Sequence, residues 1–171
     1  VVTSDAAAIK KADRVIVPGV GAAAPAMKQL QNKRLIDTLR NLTQPVLGIC
    51  LGMQLLYDRS TEGKGTDCLG ILPGSINVIP ASKNTPVPHM GWNQIKILKS
   101  DHPLLHQVED NSFVYFVHSF AAPLSGITLA STEYGLSFTA MVGQKNVMGC
   151  QFHPERSGQV GQQILKNFMS F

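Results

Sequence analysis

Gln44-Pro-Val-Leu-Gly-Ile-Cys-Leu-Gly-Met-Gln-Leu-Leu-Tyr57 is the stretch whose reading decides the fold. Val46-Leu-Gly-Ile49 is a short apolar run entered from a proline, which reads as a buried strand. Leu51-Gly-Met-Gln-Leu-Leu-Tyr57 follows with no loop and reads as a helix. Upstream, Arg14-Val-Ile-Val-Pro18 is a second β-branched run, stopped by Pro-Gly. Pro25 suits the first turn of a helix, and Met27, Leu30, Leu35 and Leu39 give it an apolar face up to about Leu42. Strand, helix, strand, helix predicts an α/β fold whose parallel sheet is covered on both faces. Val1-Val2-Thr3 reads as a strand entered with no strand–helix unit before it, so the chain is expected to lack that first unit.

Beyond about Ile76 the strand candidates crowd together: 76–79, 93–98, 113–118, 127–131, 138–142 and 147–152. Turn signals at Leu72-Pro-Gly74 and Val142-Gly-Gln144 punctuate them, which predicts an antiparallel or mixed layer. A last helix, about 158–169, sets Val160, Ile164 and Phe168 on one face. No repeat or linker interrupts the chain, and one domain over 1–171 is expected.

The composition narrows the function. At 171 residues the chain can bury a sizeable core, and 44% hydrophobic with 15% charged residues is ordinary for a soluble protein. No apolar run approaches the roughly 20 residues that span a bilayer, and charge breaks the first residues too early for a signal peptide. A cytoplasmic protein is expected, with no membrane partner. The net charge of +4 is scattered rather than gathered into a stripe, which argues against nucleic acid. Cys50, Cys68 and Cys150 cannot all pair and show no CxxC spacing, so neither a disulfide scaffold nor a metal site is expected.

Cys50 stands where a strand turns straight into a helix, the geometry of a nucleophile elbow. The helix start would favour a thiolate, the Leu51 N–H would be free to donate to an oxyanion, and Gly48 and Gly52 would leave room for substrate. A buried core cysteine is the competing explanation. Gly-x-Cys-x-Gly in this setting favours the nucleophile. Val147-Met-Gly-Cys-Gln-Phe-His-Pro-Glu155 supplies a base: Pro154 holds His153 extended, and Glu155 can accept from one ring nitrogen. Cys, His and an acid make a workable triad. Pro18-Gly-Val-Gly21 ends a strand in a glycine turn whose amides could complete an oxyanion hole, although an ordinary tight turn fits too.

Pro-Gly-Val-Gly, Gly-Ile-Cys-Leu-Gly-Met-Gln and Gln-Phe-His-Pro-Glu, in this order, resemble the class I (triad) glutamine amidotransferases. CLGMQLLYDRSTEG at 50–63, LGILPG at 69–74, PHMGWN at 88–93, YFVHSF at 115–120 and HPERSG at 153–158 resemble the glutaminase subunits of imidazole glycerol phosphate synthase. PHMGWN discriminates best, and it argues against glutaminases that feed other pathways. A truncated homologue that binds a partner without hydrolysing anything is the non-enzymatic alternative. The resemblance implies a flavodoxin-like mixed sheet and a Cys50–His153–Glu155 triad. Val20, Gly21 and Leu51 would hold the oxyanion, and Gly52, Gln54, His118, Ser119 and Phe120 would hold L-glutamine. No cofactor or metal is implied. Trp92 and Tyr115 would face a (β/α)₈-barrel cyclase subunit in a heterodimer, to which ammonia would pass without entering bulk water. Phe120 and Arg156 stand where tyrosine and lysine are frequent in that family. His89, His102, His106, Cys68 and Cys150 read as structural or surface residues.

Overall fold

In the computed structural model, which describes residues 1–171, side-chain alternation along two central strands sets the layers. β2 (Val46–Ile49) lies between β1 (Val15–Val17) and β12 (Val147–Cys150), parallel to both. Beyond β12 come β11 (Ser137–Gln144), β10 (Thr128–Glu133) and β7 (Lys96–Ile97), all antiparallel, completing a six-stranded mixed sheet. Successive residues of a strand point to opposite faces. Val46 and Val147 accordingly enter one core with Ile9, Met27, Leu39, Met53 and Leu56. Leu47 and Met148 enter a second core with Phe116, Ile164 and Phe168. Each of these large side chains contributes about 1.5–3 kcal/mol by leaving water.

The first core is covered by α1 (Ala6–Lys11), α2 (Ala23–Asn32), α3 (Ile36–Arg40) and α4 (Leu51–Leu55), and the second by α5 (Gly158–Phe168). Two smaller layers lie alongside. β4 (Thr66–Asp67), β3 (Tyr57–Ser60), β5 (Leu72–Val78) and β9 (Phe120–Ala121) form one sheet. β6 (His89–Gln94) and β8 (Phe113–His118) pair antiparallel as a ribbon. No helix is long and apolar enough to cross a membrane.

Several boundaries differ from expectation. The helix expected from Pro25 to Leu42 is two helices. Arg34 adopts φ 56°, and the Leu35 N–H reaches back to the Leu30 carbonyl at 2.9 Å, a left-handed cap that ends α2. The helix after Cys50 stops at Leu55, and Tyr57 begins a strand instead. Leu72-Pro-Gly74 lies inside β5 rather than in a turn, with Gly74 at φ 113°. The turn expected at 142–144 falls at Lys145-Asn146, because Gln144 still pairs with Val147. Val1-Val2-Thr3 is exposed and forms no strand.

Candidate active site

The two parallel neighbours β2 and β12 end side by side, so the residues just beyond their carboxyl ends meet, as is general for ligand sites on such sheets. Cys50 follows β2 and His153 follows β12. Cys50 has φ 53° and ψ −113°, a region that costs a non-glycine residue about 1–3 kcal/mol. The surroundings impose it. The Cys50 N–H donates to the Cys150 carbonyl at 2.8 Å, and its own carbonyl accepts from the Gln54 N–H at 3.2 Å. Three glycines let α4 sit close on the sheet. A Cβ on Gly48 would lie 2.7 Å from the Met53 backbone, one on Gly149 2.6 Å from Met53 Cγ, and one on Gly52 1.8 Å from the Val17 carbonyl oxygen. Gly48 and Gly52 both admit the helix.

His153 is held extended, φ −97° and ψ 98°, by the Pro154 that opens a 3₁₀ turn over Pro154–Arg156. Its Nδ1 lies 2.7 Å from Glu155 Oε1, so Nδ1 carries the ring proton and Nε2 is left as an acceptor. Its backbone is clamped as well. The His153 N–H donates to the Tyr115 carbonyl at 2.9 Å, and the Ser157 hydroxyl donates to the His153 carbonyl at 2.7 Å.

Cys50 and His153 face one cavity of about 350 Å³, within the range of small-ligand sites. Val20, Gly21, Leu51, Gln54, His118, Ser119 and Phe120 also line it. The Val20 and Gly21 amides make no hydrogen bond within the chain, which leaves them open to a ligand. Gln54 uses its amide hydrogens internally, on the Phe120 carbonyl and on Gln151 Oε1, both at 2.9 Å. Glu62, the one carboxylate on the wall, escaped the sequence reading because an isolated glutamate in a loop carries no signal. Its Oε2 accepts from the Ala23 N–H at 2.7 Å. Gln151 was also missed. It is fully buried, and its Nε2 lies 3.9 Å from Cys50 Sγ.

The thiolate expected from the helix start is not the resting state. Burial pushes the Cys50 thiol up to about 11, against the Leu51 N–H that pulls it down, and the Glu155 charge adds to the rise. α4 has only five residues, and desolvation outweighs its terminus. The thiol donates to the Val117 carbonyl at 3.8 Å, and no hydrogen bond joins it to His153. Trp92 and Tyr115 lie outside the cavity. They pair across the ribbon with ring centroids 6.1 Å apart, and the Arg156 guanidinium sits 5.0 Å over the Tyr115 ring.

Residues 1–170 match the glutamine amidotransferase class-I family. Among relatives, the chain is 51% identical to "Imidazole glycerol phosphate synthase subunit HisH" of Shewanella loihica, covering 98% of this chain and 78% of that protein. It is 47% identical to the protein of the same name from Buchnera aphidicola subsp. Schizaphis graminum, covering 99% and 85%. Among solved structures, a glutamine amidotransferase superposes with TM-score 0.69 at 16% identity, over 98% of this chain and 85% of that one. The glutaminase domain of Trypanosoma brucei CTPS gives TM-score 0.66 at 13% identity, over 96% and 74%. Both share the fold.

Proposed function

Since the chain belongs to the class I glutamine amidotransferases, among the HisH subunits of imidazole glycerol phosphate synthase, we propose that Cys50, His153 and Glu155 are its catalytic triad. The activity is that of a glutaminase in histidine biosynthesis, exerted as one subunit of the synthase. The observation that carries the triad is the strained Cys50 elbow facing, across one cavity, a histidine already oriented by Glu155 at 2.7 Å. Residues 1–171 act as one glutamine amidotransferase domain.

Cys50 passes its proton to His153 Nε2, and the sulfur attacks the side-chain amide carbon of glutamine. The Leu51 N–H, with that of Val20 or Gly21, receives the oxyanion. His153 returns the proton to the nitrogen, and ammonia leaves a thioester on Cys50. Water, deprotonated by His153, then attacks the thioester carbon, and glutamate departs with the thiol restored. The amino-acid end lies against Gln54 and the 118–120 segment, with the Glu62 carboxylate suited to its ammonium group. Gly52 seats α4 against Val17 and belongs, with Gln54, to the glutamine subsite.

Ammonia passes to a cyclase partner, a (β/α)₈ barrel, in a heterodimer. The outer face of the β6–β8 ribbon supports this, because Met90, Trp92 and Phe113 are 62%, 56% and 54% exposed beside Tyr115. Partner binding releases the Cys50 thiol from the Val117 carbonyl and aims the Val20 and Gly21 amides, so that hydrolysis waits for a consumer. Glutamate release is measured with the purified chain alone, with the cyclase plus its nucleotide ligand, and with Cys50→Ala. The expected result is slow release alone, stimulation by the liganded cyclase, and loss of about 10⁴ or more in the variant. Release indifferent to the cyclase would remove the partner, and release that survives in the variant would remove the triad.

A further inference from the structure

The cavity wall at His118 continues into a row of polar side chains, with two buried imidazoles and a half-buried asparagine, that the hydrolysis itself does not use. His118 Nδ1 lies 2.8 Å from the Phe120 carbonyl oxygen, and His118 Nε2 lies 3.0 Å from His89 Nδ1. Asn93 Nδ2 lies 3.3 Å from His89 Nε2 and donates to the Glu133 carbonyl at 2.9 Å. The rings are 3% and 6% exposed, and His89 stacks on Tyr134 with centroids 4.0 Å apart.

The two ends of the row fix every proton in it. Carbonyl oxygens can only accept. The Glu133 carbonyl therefore requires the nitrogen of the Asn93 amide on its side, and Asn93 Oδ1 is engaged by the Gln94 N–H at 2.8 Å. Asn93 thus offers an N–H to His89 Nε2, which must accept, and the His89 proton resides on Nδ1. That proton points at His118 Nε2, so the His118 proton resides on Nδ1 and is given to the Phe120 carbonyl. An added proton on either ring would set two donors against each other in a dry site. The same Phe120 carbonyl also accepts from Gln54 Nε2, whose other hydrogen goes to Gln151.

We propose that His89 is a positioning residue for the glutamine subsite: by donating to His118 it holds that ring, the Phe120 carbonyl and Gln54 in one arrangement around the amino-acid end of the substrate. The inference rests on the glutaminase reading above, and His89 itself touches no substrate. Loss of the donor leaves His118 free to turn or to change tautomer, so glutamine binding suffers more than the chemistry at Cys50.

The test has two independent arms. Ring-nitrogen NMR of the ¹⁵N-histidine-labelled full chain at neutral pH is expected to show both His89 and His118 protonated on Nδ1 and bare on Nε2. In the assembled synthase, His89→Leu is expected to raise the KM for glutamine about tenfold while kcat stays within about a factor of two. His89→Asn, which keeps an N–H near the position of Nδ1, is expected to restore KM. Either ring carrying its proton on Nε2, or an unchanged KM in folded His89→Leu, would overturn the proposal. Should His89→Leu fail to fold, His89→Asn decides: near-normal KM supports the role, and a tenfold rise refutes it. A wild-type protein that releases no glutamate would sink the glutaminase reading, and the ring spectra would then decide the proton row alone.

Discussion

Cys50 combines a strained backbone with a protonated side chain, and the two features serve different ends. The backbone strain aims Sγ into the cavity at the mouth of α4. Burial raises the thiol to about 11, which keeps it unreactive while its proton rests on the Val117 carbonyl. The free chain should therefore resist alkylation at neutral pH. Iodoacetamide labelling of Cys50, followed by peptide mass spectrometry, is expected to accelerate about tenfold per pH unit up to the region of 11. A rate already at its plateau near pH 7 would mean a resting thiolate and would contradict this account. Cys68 and Cys150 are buried too, and burial pushes both thiols up, so they act as packing groups.

Among the elements, α4 matters most, because five residues must hold the nucleophile against a sheet. Its seat is the surface left bare by Gly48, Gly52 and Gly149. A methyl at Gly52 would meet the Val17 carbonyl at 1.8 Å, and backbone on both sides would have to move. Gly52→Ala is expected to lose about 3 kcal/mol or more in urea unfolding, with glutaminase activity falling alongside. A variant of wild-type stability would show that the elbow tolerates displacement. The glycines were visible in the sequence, but their purpose was not. Room for substrate and room for a helix call for the same residue, and only the tertiary structure sets Val17 against Gly52.

At the scale of the whole molecule, the mixed sheet joins a parallel half that carries the chemistry to an antiparallel half that supports the β6–β8 ribbon. The His89–His118 pair is buried between that ribbon and Phe138 of β11, and its protonation is tied to folding. Burial lowers both rings from 6.5 to about 4. For His118, the Phe120 carbonyl opposes the drop, while His89 and His153 add to it. Between about pH 4 and 6.5 the unfolded chain binds more protons at these rings than the folded one, so stability rises with pH through that window. It is complete above 6.5 and is lost as pH falls toward 4. The unfolding free energy from urea titrations is expected to drop from pH 6.5 to pH 4.5 by an amount on the order of a few kcal/mol, and a flat profile would contradict the buried, neutral pair.

The sequence by itself determined the strands β2, β8 and β12 within a residue or two, the helix α5, the mixed sheet, and the motifs that carry Cys50, His153 and Glu155. These depend on local pattern: apolar runs, a glycine turn, a proline after a histidine. Other features needed the tertiary structure. The break at Arg34 depends on Leu35 reaching the core, and β3 exists because β5 offers it a partner. The proton held by Val117, the place of Glu62 on the cavity wall and the row from Asn93 to Phe120 join residues far apart in the chain. Such contacts exist only once the sheet order is set. A thiol's ionisation, likewise, follows from how much water surrounds it, which no local motif records.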